Sequence, residues 1–396
     1  MATRSALRQS SSAATPGDVD RSAAEAWVAA SAGPRPVDAA HALAVRDARD
    51  RVVLDAFGAD VDLRSNEAVL ALLQSRGFDV ADTRSWRLEP HRATHPGVAA
   101  LLDWRKAERV ATTYGYRWLD EHLGGDGRLR GSWTAAEGAG RMTASAGLHS
   151  LPASFRSAVA AEPGHVLVRA DLGQVEPRVL AVVSADRSFA EATRSDDLYA
   201  PVAATLGADR PTAKIAVLAA MYGARSGAAG EALKGLERAY PVAMGVLDRA
   251  YADGVARLPV RTYGGRLIRF GAAPPPPGEG AEPDASNGTG GFAESTAGSD
   301  GSRGRYARNA IIQGSAAELF KAWAATVRHA VRPLGGQIVL CLHDELIVHV
   351  PEASATAAVA AVEDSLTMAS RAWAGTDQVR FVADTSVVHR WSEAKA

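Results

Sequence analysis

Two hydrophobic periods alternate along this 396-residue chain and divide it. Over about 37–58 apolar residues recur at helical spacing, through Leu43, Val45, Val52, Val53, Leu54 and Phe57, and the pattern stops at Gly58. A second helix is better marked: Ser65 is a candidate N-cap, Val69, Leu70, Leu72 and Leu73 share a face, and Gly77 is a stop. A third amphipathic helix runs from about Pro96 to Leu123, setting Leu101, Leu102, Trp104, Val110, Tyr114 and Trp118 against Arg105, Lys106 and Arg109. Ahead of these, residues 1–36 are rich in Ala, Ser, Pro and charge. They read as a mostly disordered tail with a short helix near Ala24–Ala30.

The character changes near residue 130. His165–Asp171, HVLVRAD, is a short β-branched run and predicts a strand, followed by a helix from Pro177 to about Val183. Helices dominate from about 187 to 257, and 259–270 reads as a hairpin around Gly264-Gly265. Residues 272–304 are low-complexity Pro, Gly, Ser, Asp and Glu, too long for an ordered connection, and are expected to be a disordered insertion. A long helix from about Tyr306 to Val331 follows. Then come strands Gln337–Leu342 and Leu346–Val350, joined at His343-Asp344-Glu345, a helix over 354–374 and a strand at Val379–Asp384.

Charge is balanced, 44 Lys and Arg against 45 Asp and Glu, which excludes an all-over basic surface but leaves room for a local basic groove. The single cysteine, Cys341, excludes a disulfide framework and a cysteine-based metal site. No apolar run is long enough to span a membrane and the N-terminus lacks an apolar signal region, so a cytoplasmic protein without a membrane partner is expected.

Two carboxylates stand out. Asp171 ends the strand HVLVRAD, and Asp344 lies at the turn of QIVLCLHDELIVHV, where alternation with Leu340 and Leu342 predicts that it shares their face. A carboxylate facing a core edge is costly unless paired or metal-bound. Two on adjacent strands can hold two divalent ions about 4 Å apart, the arrangement for in-line phosphoryl transfer. With only oxygen ligands on offer the metal is Mg²⁺, with Mn²⁺ as a substitute.

In Arg210–Gly223, RPTAKIAVLAAMYG, Arg210, Lys214, Leu218 and Tyr222 line one helix face. Cations at a helix N-terminus oppose the macrodipole, which makes sense if a polyphosphate is bound there, with Leu218 and Tyr222 as an apolar platform for a base. A solvated basic helix end with Leu218 and Tyr222 in the core accounts for the spacing equally well. Finally, Arg305, Asn309 and Gln313 form a polar stripe at helical spacing, able to reach minor-groove acceptors or simply to be a wet face.

Together these segments resemble family A DNA polymerases, the DNA polymerase I type. DLGQVEPRVLAVVSAD at 171–186 is similar to motif A, Arg210–Gly223 to motif B (R-x3-K-x7-Y-G) and LHDELIVHVP at 342–351 to motif C, in the family's order. Gly140-Arg141-Met142 and Arg308–Glu318 resemble two further family segments, and the helix ending near Tyr114 resembles the thumb. Coverage runs from about residue 40 to the C-terminus.

The resemblance implies an α+β right-hand fold with an antiparallel palm sheet and helical thumb and fingers. It places the thumb over 37–130, the palm over 131–190 and 305–396, and the fingers over 191–271. It implies a monomer that adds dNTPs to a primer 3′-OH on primer–template DNA. Asp171, Asp344 and the Leu172 carbonyl bind two Mg²⁺ ions. Arg210 and Lys214 hold the triphosphate, Lys214 being the proton donor to pyrophosphate, while Leu218, Tyr222 and Gln174 complete the nucleotide site. Glu176 blocks a ribose 2′-OH. Arg141, His149, Arg305, Asn309, Gln313, His343 and Glu345 contact DNA.

Several positions depart from the family pattern. Leu218 stands where an aromatic ring is usual, and Pro177 is expected to push Glu176 toward extended backbone. Residues 146–152 lose two amide contacts to DNA, and the short 197–210 segment implies trimmed fingers. No Asp-x-Glu precedes the palm and little chain precedes residue 60, so proofreading is expected to be absent. Glu176 and the His-Asp-Glu turn argue against a single-subunit RNA polymerase. The joint presence of Asp171, Asp344, Arg210, Lys214 and Tyr222 argues against an idle DNA-binding protein.

Overall fold

The structure, a computed structural model, describes residues 14–19, 21–135, 138–222, 228–270 and 300–394. They form two compact units, one of Val19–Gly127 and one of the chain from Arg128 onward together with the segment up to Asp18.

The Val19–Gly127 unit is helical. Asp38 starts the helix Ala39–Phe57 by accepting from the His41 N–H, and Gly58 closes it in the left-handed region at φ 58°. Ser65 caps Asn66–Ser75 as expected, accepting from the Ala68 N–H. Val53, Phe57, Val69, Leu72, Leu73, Leu88, Val98, Leu101, Leu102 and Trp104 make the core. Leu43 and Val52, however, are exposed: only the end of the 39–57 helix meets this core. The expected single helix over 96–123 is two, Pro96–Thr113 and Tyr116–His122. They break at Gly115, where a Cβ would stand 2.5 Å from the Ala111 carbonyl oxygen.

The expectation of a mostly disordered tail is corrected at 14–19, while the short helix expected near Ala24–Ala30 is present and longer. Ala14–Val19 is a strand hydrogen-bonded between the short strands Arg128–Arg130 and Val159–Ala160 in the larger unit, and Arg21–Ala32 is a helix buried at Ala24 and Val28. Residues 1–13 and 20 lie outside the described residues.

The larger unit is built on an antiparallel sheet with strand order Val382–Val388, His165–Gly173, Glu345–Pro351, Gln337–Leu342. Alternation along the strands gives it two unlike faces. Val166, Val168, Ala170, Leu172, Leu346, Val348 and Val350 are buried in the core with residues of the helices Asp300–Val331 and Ala355–Ala374. Those two helices are tied by the Trp323 indole, which donates to the Val362 carbonyl at 3.0 Å. The opposite face carries Arg169, Asp171, Glu345 and Asp384.

The expected hairpin over 259–270 is present, its strands being Val260–Arg261 and Leu267–Ile268. The last strand lies at Val382–Val388, a few residues later than expected. The long helix starts at Asp300, not near Tyr306, so 300–304 belong to it and not to the low-complexity insertion. Gly304 is buried there against Tyr251 and Val255. The rest of the insertion, to residue 299, lies outside the described residues. No helix among the described residues is long and apolar enough to cross a membrane.

Candidate active site

Asp171 sits near the end of the His165–Gly173 strand, with Glu345 directly opposite on one neighbouring strand and Asp384 directly opposite on the other. Asp344 joins them from the turn. His343 takes a left-handed φ of 50°, the chain reverses, and Leu342 pairs with Glu345. The turn interrupts the alternation through Leu340 and Leu342, so the rung facing Asp171 belongs to Glu345 rather than Asp344. The Leu172 N–H donates to the Asp344 carbonyl at 3.0 Å, which ties the turn to the Asp171 strand. In an antiparallel strand a residue's N–H and C=O leave toward the same neighbour, so the Leu172 carbonyl faces this turn too.

Burial, and after it the negative charge of Asp171, raises the Asp344 carboxyl well above the usual carboxylate range. Crowded carboxylates offering only oxygen fit a hard divalent cation such as Mg²⁺ or Mn²⁺.

Arg169 precedes Asp171 by two residues on the same face and is almost wholly buried. Its Nη1 donates to Asp384 Oδ2 at 3.0 Å and its Nη2 to Glu345 Oε2 at 3.4 Å; Nη2 also bonds Asp171 Oδ2. The other Glu345 oxygen accepts from the Trp391 indole at 2.6 Å. Glu345 was expected to touch DNA. It is instead enclosed by Arg169 and Trp391.

The motif B helix spans Arg210–Tyr222, and Asp209 caps it by accepting from the Thr212 N–H at 2.8 Å. Arg210 is exposed, pairs with Asp197 at 2.5 Å and lies over the Tyr199 ring. Lys214, one turn on, is exposed and has no ion pair among the described residues. Leu218 packs against the core and Tyr222 is half-buried.

The Tyr222 hydroxyl donates to Glu176 Oε2 at 3.0 Å and Arg141 Nη2 donates to Oε1 at 2.8 Å, so Glu176 is clamped at both oxygens. Burial first, then the Glu176 charge, pushes the Tyr222 phenol up. Glu176 is not displaced by Pro177: both belong to the helix Val175–Ser184. Proline occupies the first turn, where its missing N–H has no intrahelical partner to lose.

Gln174 departs from its expected role. It caps this helix with φ 52° and its side chain is used internally. Its carbonyl accepts from the Leu198 N–H at 2.8 Å and from Arg178 at 3.3 Å, and its amide donates to Asp197 Oδ1 at 3.3 Å. Arg178 is fully buried and donates to the carbonyls of Gly173, Thr193, Ser195, Asp196 and Arg380, pinning the strand end that carries Asp171. Burial lowers its pKa to about 10.

Of the remaining expected DNA contacts, Arg305, Asn309 and Gln313 follow one another on the 300–331 helix. Arg305 is exposed, and Gln313 lies beside the Tyr222 hydroxyl. Asn309 Oδ1 is shielded from solvent with no partner among the described residues, as for an acceptor awaiting a donor. His343 is exposed and stacks on His149 with ring centroids 4.7 Å apart. His149 itself has both nitrogens occupied, Nδ1 by the Ala144 N–H at 3.1 Å and Nε2 by the Cys341 carbonyl at 3.2 Å. It therefore supports His343 and has no ring nitrogen left for DNA.

A separate cluster, Glu162, His165 and His349, lies toward the other end of the strands. Its groups are engaged with each other and with Arg128: the Glu162 N–H donates to His349 Nε2 at 3.2 Å, the Glu162 carboxylate pairs with Arg128, and the imidazoles stack.

A sequence model of DNA polymerase family A matches residues 66–240 and 289–393. The chain belongs to this family. Among curated relatives it is 28% identical over 347 residues to a thermostable DNA polymerase I of Thermus filiformis, covering 79% of this chain and 38% of that protein. It is 29% identical over 306 residues to DNA polymerase I of Chloroflexus aurantiacus, covering 72% and 31%. It is 25% identical over 299 residues to DNA polymerase theta of Caenorhabditis elegans, covering 70% and 17%. The chain thus spans well under half the length of these relatives. The POL domain of Pol1 from M. smegmatis, solved in complex with DNA primer-template and dNTP, superposes with a TM-score of 0.72 at 20% identity, covering 96% of this chain and 68% of that one. This establishes the α+β right-hand polymerase fold.

Within this family A chain, Arg169, Asp384, Trp391 and Arg178 escaped the sequence reading as site residues. A signal existed for two of them. Arg169 interrupts an apolar strand and Arg178 a buried helix pattern, and a charge so placed must find partners. Nothing local pointed to Asp384 or Trp391.

Proposed function

We propose that this chain extends a DNA primer on a template with dNTPs by two-metal nucleotidyl transfer. The observation that carries the reading is the meeting of the Asp171 strand end with the turn that carries Asp344, remote in sequence and tied by the Leu172 N–H donating to the Asp344 carbonyl at 3.0 Å, with Glu345 directly opposite Asp171. Asp171, Asp344 and the Leu172 carbonyl would hold two Mg²⁺ ions, which when bound would supply positive charge for activating the primer hydroxyl and stabilising the departing pyrophosphate.

The chain's own residues do the rest. Lys214 is free to meet the triphosphate and give a proton to pyrophosphate. Arg210 reaches the phosphates on exchanging Asp197 for them. Glu176, held by Arg141 and Tyr222, crowds the ribose 2′ position, and Leu218 gives the base an apolar neighbour without an aromatic face. Arg305, Asn309, Gln313 and His343 face the duplex. No Asp-x-Glu precedes the palm in this sequence, so the chain by itself leaves a mismatched primer end in place.

The test is primer extension with Mg²⁺ by wild type, Asp171→Ala and Asp344→Ala. Each substitution abolishes extension and leaves primer–template affinity largely intact, because affinity comes mainly from backbone contacts. Extension by either variant at the wild-type rate refutes the metal site. Duplex binding by wild type without any extension identifies a DNA-binding protein instead.

A further inference from the structure

Four carboxylates gather at the end of the sheet, and the guanidinium of Arg169 is built in among them. Asp384, Asp171 and Glu345 stand on one rung across adjacent strands, with Asp344 at the turn beyond. The guanidinium of Arg169 pairs with all three rung carboxylates, one of them being Asp171, a ligand of the proposed metal site. Arg169 is buried, Glu345 is buried and further held by Trp391, and Asp384 lies at the solvent edge. Arg169 Nε is shielded from solvent and has no partner among the described residues, so the fork is held wholly through its terminal nitrogens.

Resting on the metal-site reading above, we infer that Arg169 is the resident counter-cation of the site, a positioning residue that Asp171 exchanges for metal. Without metal, Arg169 neutralises Asp171 and keeps the rung assembled against like-charge repulsion. The oxygen it holds on Asp171 is one that an incoming ion needs. As a metal ion binds, Asp171 turns to it, while the guanidinium keeps Glu345 and Asp384, which are not needed as ligands. The affinity of the site for metal is therefore set by a competition inside the protein. Asp384 belongs to that competition, because it draws the guanidinium away from Asp171.

The experiment measures Mn²⁺ binding alone, without DNA or nucleotide, on the full chain by titration calorimetry and by loss of the free-ion paramagnetic signal. Removing a buried positive charge from beside the ligands makes Arg169→Met bind Mn²⁺ more tightly, on the order of tenfold. Its metal-free form melts lower than wild type, and Mn²⁺ raises its melting temperature by more. Arg169→Lys keeps a cation but cannot span the carboxylates. It folds more securely and has an intermediate affinity. Asp384→Ala weakens Mn²⁺ binding in wild type, and the effect vanishes in the Arg169→Met background, since a solvent-edge carboxylate acts weakly through its own field.

An Arg169→Met protein with unchanged or weaker Mn²⁺ affinity overturns the inference, as does an Asp384→Ala effect that persists without Arg169. Failure of the metal-site reading has a different appearance: Asp171→Ala then binds Mn²⁺ as wild type does.

Discussion

Replacing Tyr222 by Phe removes one oxygen atom and asks whether nucleotide selection depends on a carboxylate being held still. The phenol donates to Glu176 Oε2 at 3.0 Å, while Arg141 holds the other oxygen at 2.8 Å. A hydrogen bond to a charged group contributes about 1.5–3 kcal/mol. Glu176 is nearly buried and Phe keeps the ring in place, so the substitution frees one side of the carboxylate without opening the site. If that energy serves to keep Glu176 across the 2′ position, preference for dNTP over rNTP falls by about ten- to a hundredfold. Glu176→Ala sets the upper limit, since it removes the obstacle itself. The assay is single-nucleotide insertion, comparing kcat/KM for a dNTP and its rNTP in wild type, Tyr222→Phe and Glu176→Ala. Insertion of dNTP falls only modestly in both variants. Because Glu176 is helical and clamped despite Pro177, wild type rejects rNTPs. A wild type that accepts both sugars, or a Tyr222→Phe protein that discriminates as well as wild type, refutes the clamp.

Lys214→Ala slows incorporation by at least about ten- to a hundredfold, the loss of a charge-assisted contact to phosphate, while duplex affinity and its salt slope stay put; a reduced salt slope would show that Lys214 binds DNA instead. Deleting residues 275–298, which hold almost nothing to bury and stop short of the helix at Asp300, leaves extension within a few-fold of normal, and a folded deletion protein that no longer binds primer–template defeats this. His349 gives the larger unit a pH-dependent stability: burial, then the charges of His165 and Arg128, hold its imidazole at about 4, beside the Glu162 backbone N–H. The unfolded chain thus binds more protons between about pH 6.5 and 4, so up to about 3 kcal/mol of stability, fully present above that window, is lost as pH falls through it. Denaturant unfolding near neutrality and at about pH 4.5 measures the drop, and a His349→Gln protein with an equally steep dependence assigns it elsewhere.

What could be read from residue order alone follows the reach of each interaction. Ser65 as a cap, the strand at 165, the hairpin around Gly264-Gly265 and the helical face of Arg210, Lys214, Leu218 and Tyr222 depend on neighbours within a turn or a rung, and all are present. Asp171 and Asp344 were legible because each ends or turns a strand, and the family resemblance joined them. The failures share the opposite cause. The Ala14–Val19 strand finds its partner at Arg128–Arg130, more than a hundred residues away, and no local composition predicts that pairing. Pro177 obeyed a local preference only until its place in the first turn of a helix removed the conflict. Alternation through Leu340 and Leu342 was carried to Asp344 across a turn that His343, in a left-handed conformation, breaks, and Glu345 was assigned to DNA by the family resemblance alone. Its true partners, Arg169 and Trp391, lie 176 and 46 positions away and are joined to it only by the sheet and the chain's last turn. The same long reach makes the carboxylate rung informative: strands remote in sequence placed Asp384, Asp171 and Glu345 side by side, and such crowding persists only where a cation is present. Arg169 is that cation in the protein's own sequence. The one carboxylate of the four beyond its fork, Asp344, lies at the turn, where an incoming divalent ion meets an oxygen donor that the guanidinium does not pair with among the described residues.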